Sequence, residues 1–465
     1  MRRPGLPWAG PAGIVLLAGP VLAGFATTVW PAFQTGYGFT ALIQWPGLPR
    51  AVLLSLGTGL FSTLAALLLT LLILATLQDR PLFRWVRRSL SPLLAVPHAA
   101  AALGFAFLIA PSGWIARALS PWATGWHQPP DLLILNDPWG ISLTLGLITK
   151  ELPFLLIIAL AALPPTAARR LHLAASMGYG TAAGFFLTVV PALYPALRLP
   201  VLAVLTYGMT NVDMALILGP TTPPPLAVQI TRWMTEPGLT RTNLAAAAAL
   251  LQAALTLAAL ALWRGGELAV ATLGHAITLR GWRMHGLDRM RGAITALALL
   301  MGLALTLGIL SLGLWSTAGL WPFPDALPRS LTLTAWRNAA PALTATALTP
   351  LINATLATAA AMTLTLAWLQ AEHRCGWPKL PDLVIYLPLI LPQICVLPGL
   401  EPAALPLGAT GGVASVTAAH LIFVLPYTYL TLSGPFRAGD SRIATVAATL
   451  GASEARIFWR LRLPL

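Results

Sequence analysis

Apolar residues along this chain gather in long runs that alternate with short polar segments. Ten runs reach about 20 residues, which is enough for a helix to cross the hydrocarbon core of a bilayer. They lie at about 11–30, 51–77, 92–111, 139–163, 192–219, 241–263, 292–315, 340–368, 381–400 and 412–434. Because every backbone amide and carbonyl must find a partner inside lipid, we expect these runs to be helices. The pattern predicts an all-α polytopic membrane protein with ten spans.

The composition agrees with a protein that is embedded in a lipid bilayer. Of its 465 residues 57% are hydrophobic and only 9% are charged, against about 25% charged in soluble domains. The net charge of +14 does not indicate a nucleic-acid partner, because the basic residues are spread over short loops rather than gathered on one face. Cys375 and Cys395 have no metal-ligand spacing around them, so we predict neither a metal site nor a cofactor.

The basic residues also predict the orientation, since they collect on the cytoplasmic loops of membrane proteins. Taking alternate loops, 20 basic residues fall on one side and 6 on the other. The first side carries Arg2, Arg3, Arg80, Arg84, Arg87, Arg88, Arg169, Arg170, Arg264, Arg280, Arg283, Arg289, Arg291, Arg374, Lys379, Arg437, Arg442, Arg456, Arg460 and Arg462. We therefore expect a cytoplasmic N-terminus and a first span that anchors the chain, being long for a cleaved signal peptide.

One segment occurs twice in the chain, and the two copies align at a constant offset without a gap. The first copy is RRLHLAASMGYGTAAGFFLTVVP, Arg169–Pro191, and the second is RIATVAATLGASEARIFWRLRLP, Arg442–Pro464. The identical pairs are Arg169 and Arg442, Ala174 and Ala447, Ala175 and Ala448, Gly178 and Gly451, Ala182 and Ala455, Phe185 and Phe458, and Pro191 and Pro464. Such a fixed offset indicates a duplicated unit.

The duplication predicts two parallel halves, since each begins on the same side of the membrane. We place a first transmembrane module at 1–270, a basic cytoplasmic linker at 271–291 and a second module at 292–465. Two spans follow the repeated segment in the first half, whereas the chain stops one residue after it in the second. We therefore expect a twelve-span protein truncated after the fourth span of its second module, and expect the 465-residue chain alone to be transport-incompetent.

Each copy of the segment has the pattern of a helix, a turn and a second helix. Leu171, Ala174, Ala175 and Gly178 fall at i, i+3, i+4 and i+7, one narrow stripe of a helix that another backbone can approach closely. Glycine then ends the first helix, and the second runs on to a proline that we expect to open the next span. The pattern predicts a cytoplasmic helix–turn–helix suited to docking in a groove on a soluble partner.

The two copies resemble the cytoplasmic loop of permease subunits of binding-protein-dependent ABC importers. That loop reads Glu-Ala-Ala, three residues, Gly, nine residues, a hydrophobic residue, one residue, Leu-Pro. It falls here on His172, Leu173, Ala174, Gly178, Thr188, Val190 and Pro191, and again on Thr445, Val446, Ala447, Gly451, Leu461, Leu463 and Pro464. The Glu and the middle Ala are replaced in both copies. The whole chain resembles the double-length permeases of iron(III)- and thiamine-type importers, and Thr206–Trp233 is most similar to their YnjC-like branch.

The resemblance implies two six-span permease modules in a bacterial inner membrane. It implies an ATPase subunit dimer docked on the two loops and a periplasmic binding protein that delivers a small-molecule substrate from the other side. The docking residues it implies are Arg169, His172, Ala174, Ala175, Gly178, Pro191, Arg442, Thr445, Ala447, Ala448, Gly451 and Pro464. Since the chain has no Gly-rich phosphate loop followed by Lys-Ser/Thr, we expect no enzymatic activity of its own.

Three charged residues inside predicted spans are candidates for the translocation path. Lys150 and Glu151 lie in span four, where ionisable groups are costly. They either line the path or pair with polar groups on neighbouring helices, and the equivalent positions in the second half are apolar. Asp213 in span five either faces the path or reaches water near the periplasmic end. His98 and His420 are lone histidines in predicted spans, and we expect both to hydrogen-bond within the bundle.

Two other functions remain open at this point. Twelve spans in two parallel halves is also the architecture of a class of secondary transporters, although 79–88, DRPLFRWVRR, lacks the glycines expected of their loop after span two. The second alternative is a membrane scaffold that transports nothing.

Overall fold

The computed structural model describes residues 9–77, 81–283, 286–409, 411–438 and 441–463. Its elements there are helices. The first half of the chain forms α1 (Ala9–Val29), α2 (Tyr37–Gln44), α3 (Leu48–Leu77), α4 (Pro81–Ala95), α5 (His98–Ile109), α6 (Trp114–Leu119), α7 (Ile141–Ala161), α8 (Ala167–Ser176), α9 (Thr181–Gly184), α10 (Val190–Thr210), α11 (Asp213–Leu218), α12 (Leu226–Thr235) and α13 (Leu239–Leu279). The rest forms α14 (Gly286–Arg289), α15 (Arg291–Thr317), α16 (Thr334–Cys375), α17 (Asp382–Ile390), α18 (Leu397–Ala404), α19 (Gly412–Ala438), α20 (Ser441–Thr449) and α21 (Glu454–Ile457).

Nine helices within these ranges are long and apolar enough to cross a bilayer. A tenth span is added if Asp382–Ile390 and Gln393–Ala404, which meet at an angle of 86°, are counted as one broken crossing. The prediction of an all-helical polytopic protein is confirmed, and the number of apolar helices agrees with the ten predicted runs.

Two predicted spans are displaced in the structure because the helix breaks at a different residue. The third was expected at 92–111, but the chain breaks at Pro97 and the apolar helical stretch runs over His98–Leu119. The fifth was expected at 192–219, but it starts at Thr181 and ends at Thr210. Proline explains the first difference, because Pro97 cannot continue the amide ladder of α4. In the second case Asn211 leaves helical geometry, and its side chain accepts a hydrogen bond from the amide of Met214 at 2.6 Å, which starts α11.

The sixth span extends far beyond its apolar run. The helix α13 has 41 residues and is therefore about 60 Å long, roughly twice the hydrocarbon thickness. The helix continues without a break past Trp263 as far as Leu279. The sequence from 264 to 279 has two adjacent glycines but no proline, so the helical ladder continues through it.

The chain forms two compact units. The larger covers 29–341, and its core lies where α3, α7 and α10 pack together around fully buried leucines such as Leu74, Leu155 and Leu193. Beside this core α5 and α15 cross at two glycines, Gly104 and Gly308. A Cβ on either glycine would lie 2.7–2.9 Å from backbone of the other, so the two helices approach as closely as small residues permit.

A buried arginine joins two non-helical segments of the larger unit. Arg117, 4% exposed, donates to the carbonyls of Ser112 and Pro322, both at 2.9 Å. Its guanidinium also lies 4.9–5.4 Å from the ring centres of three aromatic side chains, Trp315, Trp321 and Phe323. Carbonyl oxygens and ring faces both favour a cation, so this contact fastens the residues after α5 to those after α15.

The smaller unit consists of the described residues of 1–28 and 342–465. Here α1 packs against α18, where a Cβ on Gly24 would lie 2.8 Å from the carbonyl oxygen of Val396. The Thr27 hydroxyl donates to the carbonyl of Gly399 at 2.6 Å. Elsewhere in this unit Arg437 pairs with Glu372 at 2.8 Å.

The units therefore do not follow the order of the chain. The first span belongs with spans eight to ten, and α15, the seventh, belongs with spans two to six. The division into modules at 1–270 and 292–465, with a linker at 271–291, concerns the duplicated sequence and stays a prediction.

Candidate functional site

The two copies of the repeated segment fold in the same way. In the first copy α8 is followed by a turn, by α9 and by a π-helical turn at Phe185–Val189. In the second copy α20 is followed by a turn, by α21 and by a π-helical turn at Phe458–Arg462. The starts of α9 and α21, and the starts of the two π-turns, are separated by the same offset as the two copies of the sequence. We call the two segments loop 1 (169–191) and loop 2 (442–464).

Glycine is required in both turns. Gly178 has φ +80° and Gly451 has φ +82°, the left-handed region that other residues rarely adopt. In loop 1 the amide of Tyr179 donates to the carbonyl of Ala174 at 3.0 Å, and that of Gly178 to Ala175 at 2.9 Å. Loop 2 repeats both bonds at 3.0 Å. This pair of bonds is the Schellman motif, which satisfies the last carbonyls of the first helix.

The predicted role of Pro191 is wrong in one respect. We expected this proline to open the fifth span, but the helix runs without a break from Thr181 to Thr210. Instead the amide of Val190 bonds to the carbonyl of Phe185, five residues back. Pro191 has no amide hydrogen and its ring would clash with the carbonyl four residues back, so the wider π-turn before it accommodates the ring. The equivalent Pro464 lies outside the described residues.

Each loop exposes two apolar side chains one helical turn apart at matching positions, and loop 2 also exposes Ile443 and Trp459. In loop 1 they are Leu173, 58% exposed, and Met177, 64% exposed. In loop 2 the equivalent positions are Val446, 57% exposed, and Leu450, 81% exposed. We call each of these the apolar pair of its loop. Residues four apart lie on the same face of a helix, so both loops present a small apolar face at matching positions.

The predicted small-residue stripe has a different use in loop 1. Ala174 is only 3% exposed, and a Cβ on Gly184 would lie 3.0 Å from its methyl group. The close approach that the small residues allow is therefore made by α9 of the same loop. Of the other predicted docking residues, Ala447 is half-buried and Pro464 lies outside the described residues. The rest are exposed: Arg169, His172, Ala175, Gly178, Pro191, Arg442, Thr445, Ala448 and Gly451.

Two contacts of loop 1 were not anticipated from the sequence. Arg170 donates to the carbonyl of Thr188 at 3.0 Å, which ties α8 to the π-turn. Asp288, which lies far along the chain beyond the sixth span, accepts a hydrogen bond from the amide of Ala182 at 3.0 Å. Nothing in the local pattern marks Asp288, because its partner is distant in sequence.

Lys150 and Glu151 are both buried in α7 and point to different partners. The Lys150 ammonium donates to the carbonyls of Leu93 and Leu94 at 3.3 and 3.0 Å, where α4 ends. The usual helical donors to these carbonyls would be the amides of residues 97 and 98, and Pro97 has none. The carboxylate of Glu151 lies 3.1 Å from Nε2 of His98, which confirms the expectation for this histidine, whereas His420 is exposed.

Asp213 does not lie within the fifth span, contrary to our prediction. It is the first residue of the short helix α11, after the chain has left the span at Asn211. Its side chain is exposed. Within the described part of the chain, no group of three or more His, Cys, Asp and Glu residues could hold a metal ion.

The chain is similar to a curated bacterial membrane protein over nearly its whole length. It is 29% identical over 461 residues to the inner membrane ABC transporter permease protein YnjC of Escherichia coli (strain K12). The alignment covers 98% of this chain and 81% of that protein. No family model matches the chain. The similarity, together with the apolar helices, supports a multi-pass inner-membrane protein and a transmembrane permease subunit.

Proposed function

We propose that the chain is the permease subunit of an ABC importer, which forms the translocation path and docks an ATPase dimer through loops 1 and 2. The observation that supports this most directly is the recurrence of one local structure with an exposed apolar pair at matching positions. The similarity to a permease supports the general class, and the loops supply the proposed mechanism.

The exposed pairs are suited to binding a protein. Both loops lie next to apolar helices, on the side of the membrane to which the excess of basic residues assigns the cytoplasm. An apolar face in contact with water is unfavourable unless a partner covers it. Because the same face occurs once in each proposed half, the matching partner has two equivalent subunits, as an ATPase dimer does.

ATP chemistry belongs to this partner in our proposal. The permease converts movement of the docked subunits into alternating exposure of the path, and a periplasmic binding protein delivers the substrate from the opposite side. We propose the double-module arrangement of the iron(III)- and thiamine-type importers that the sequence resembles, with a small molecule as substrate.

The charged candidates divide into two groups in this proposal. Lys150 and Glu151 have close partners on α4 and α5, so we assign them to holding that corner of the larger unit rather than to substrate. Asp213 is exposed at the break after the fifth span, and we propose it as the candidate that faces the path.

The proposal is tested by capture of the ATPase on the tagged chain from its native membranes. We expect a protein with a Gly-rich Lys-Ser/Thr phosphate loop to co-purify. The double variant Gly178→Leu, Gly451→Leu should lose it, because a side chain at these positive φ angles forces both turns to change. Gly266→Leu is the matched control, since this exposed glycine of α13 has open space around it.

Two outcomes would contradict the docking role. In the first, a folded chain captures no such ATPase. In the second, the double variant captures as much ATPase as the control does. Uptake driven by an ion gradient would then favour the secondary transporter.

A further inference from the structure

The second helices of the two loops start with the same backbone geometry but with different residues. Gly180 has φ −66° and ψ 163°, and the equivalent Ser453 has φ −67° and ψ 153°. This extended geometry is typical of an N-cap residue and is open to any residue type. The Ser453 hydroxyl accepts a hydrogen bond from the amide of Arg456 at 3.3 Å. Gly180 has no side chain with which to do the same.

In loop 1 the missing acceptor comes from the segment between the proposed halves. The carboxylate of Asp288 accepts from Ala182, the second residue of α9, at 3.0 Å. A Cβ placed on Gly180 would overlap the other oxygen of this carboxylate. Asp288 therefore occupies the space that an N-cap side chain would take, and its negative charge is favourable at a helix N-terminus.

The same segment contacts loop 1 at a second point. The guanidinium of Arg283 lies 3.3 Å from the position of a Cβ on Gly178. Among the described residues, no atom lies within 4 Å of the equivalent position on Gly451, apart from the neighbouring chain itself. The segment thus touches loop 1 on both sides of its turn, and loop 2 shows no counterpart among the described residues.

We propose that Asp288 is a positioning residue for loop 1, which supplies from a distant part of the chain the helix cap that loop 2 supplies itself through Ser453. This inference rests on the proposed docking function, because it gives the segment between the halves a part in holding one docking surface. The hydrogen bond from Ala182 to Asp288 holds the start of α9 in place. It thereby fixes the angle between α8 and the fifth span, and with that angle the position of the apolar pair of loop 1. The two docking surfaces are consequently held by different means, and only loop 1 responds to the segment between the halves.

A double-mutant cycle tests the cap without any ATPase. Hydrogen exchange of the amides of 181–184 is followed by mass spectrometry on the purified chain in lipid nanodiscs. Asp288→Ala should speed this exchange roughly five-fold, the effect of losing one N-cap. Gly180→Ser alone should also speed it, because the new side chain overlaps Asp288. The two changes together should return exchange to within about two-fold of the wild type, as the serine then caps α9 as Ser453 caps α21.

Two controls make the result specific. Asp288→Asn keeps an acceptor oxygen and should exchange almost as slowly as the wild type. Ser453→Ala should speed exchange in loop 2 only. Two results would overturn the assignment. One is an exchange rate of 181–184 that does not change in Asp288→Ala. The other is that the effects of Asp288→Ala and Gly180→Ser on this rate add in the double variant instead of cancelling.

ATPase capture on the same variants separates this inference from the proposed function. We expect capture to fall in Asp288→Ala and to recover in the double variant with Gly180→Ser. If exchange follows the cycle but no variant captures an ATPase, the cap is established and the docking function fails. If the wild type captures an ATPase and exchange is insensitive to Asp288, docking stands and the positioning role is wrong.

Discussion

The apolar pairs allow a quantitative prediction for the docking step. We consider Leu173→Ala, Met177→Ala in loop 1 and Val446→Ala, Leu450→Ala in loop 2. These substitutions keep the helix, since alanine is the best helix former, and remove the apolar surface that the two loops expose at matching positions. The prediction therefore concerns the contact with the partner and not the fold of the loop.

The magnitude follows from the exposure of these side chains. Complete burial of a leucine or methionine side chain contributes about 1.5–3 kcal/mol. The side chains of the loop 1 pair are 58% and 64% exposed. Burying both against the ATPase therefore stabilises the complex by about 2 kcal/mol more than burying two alanines at these positions would. Loss of about 2 kcal/mol weakens binding about 30-fold. Since the two pairs are separate sites, their effects should add, to about 1,000-fold for all four changes.

The assay is the dissociation constant of the purified ATPase for the chain in nanodiscs, measured by biolayer interferometry. Leu268→Ala, Leu273→Ala is the matched control, because these leucines of α13 are 55% and 59% exposed but lie outside both loops. The control should bind within about two-fold of the wild type. Equal weakening by the control and the loop variants, or full affinity with all four loop residues changed, would refute the reasoning.

Three further predictions concern packing, each followed by thermal unfolding of the purified chain. Gly308→Val should lower the free energy of unfolding by about 3 kcal/mol, because the new side chain forces α15 away from the backbone of α5. Gly302→Val on the same helix is the control and should have little effect, since no described atom lies within 4 Å of a Cβ there. Arg117→Lys should lower the free energy of unfolding by about 2 kcal/mol, because lysine lacks the planar guanidinium that reaches several carbonyls at once. Arg329→Lys, at the exposed ion pair with Asp325, is the control and should not change the stability measurably. Lys150→Met should lower the free energy of unfolding by about 1–3 kcal/mol, because the carbonyls of Leu93 and Leu94 at the end of α4 lose their hydrogen-bond donor. An unfolding temperature unchanged in any of the three core variants contradicts the contact assigned to it.

The features predicted well from the sequence are those that depend on local pattern. Apolar runs predicted the number of apolar helices because lipid leaves the backbone no other partner than itself. The glycines of the repeat predicted the turns because positive φ is a local requirement, and Gly178 and Gly451 meet it in the same way. Even the π-turn of loop 1 has a local cause, the proline that follows it in the sequence.

The features that the sequence did not reveal depend on contacts between distant residues. The capping role of Asp288 is invisible without knowing that residue 288 lies beside residue 182. The partners of Lys150 could not be predicted, because the open carbonyls arise where Pro97 ends a helix in a distant part of the sequence. Asp213 was placed inside the fifth span because the apolar run continues past Thr210, and hydropathy alone does not register the turn that Asn211 stabilises.

The central claim is that each of two equivalent loops docks one ATPase subunit, and the most direct test is the stoichiometry of the complex. Native mass spectrometry of the complex purified from membranes should show two ATPase subunits for each permease chain. Changing the apolar pair of either loop should yield complexes that have lost a subunit. A stable wild-type complex with a single ATPase subunit, or a chain that never carries one, would contradict the account.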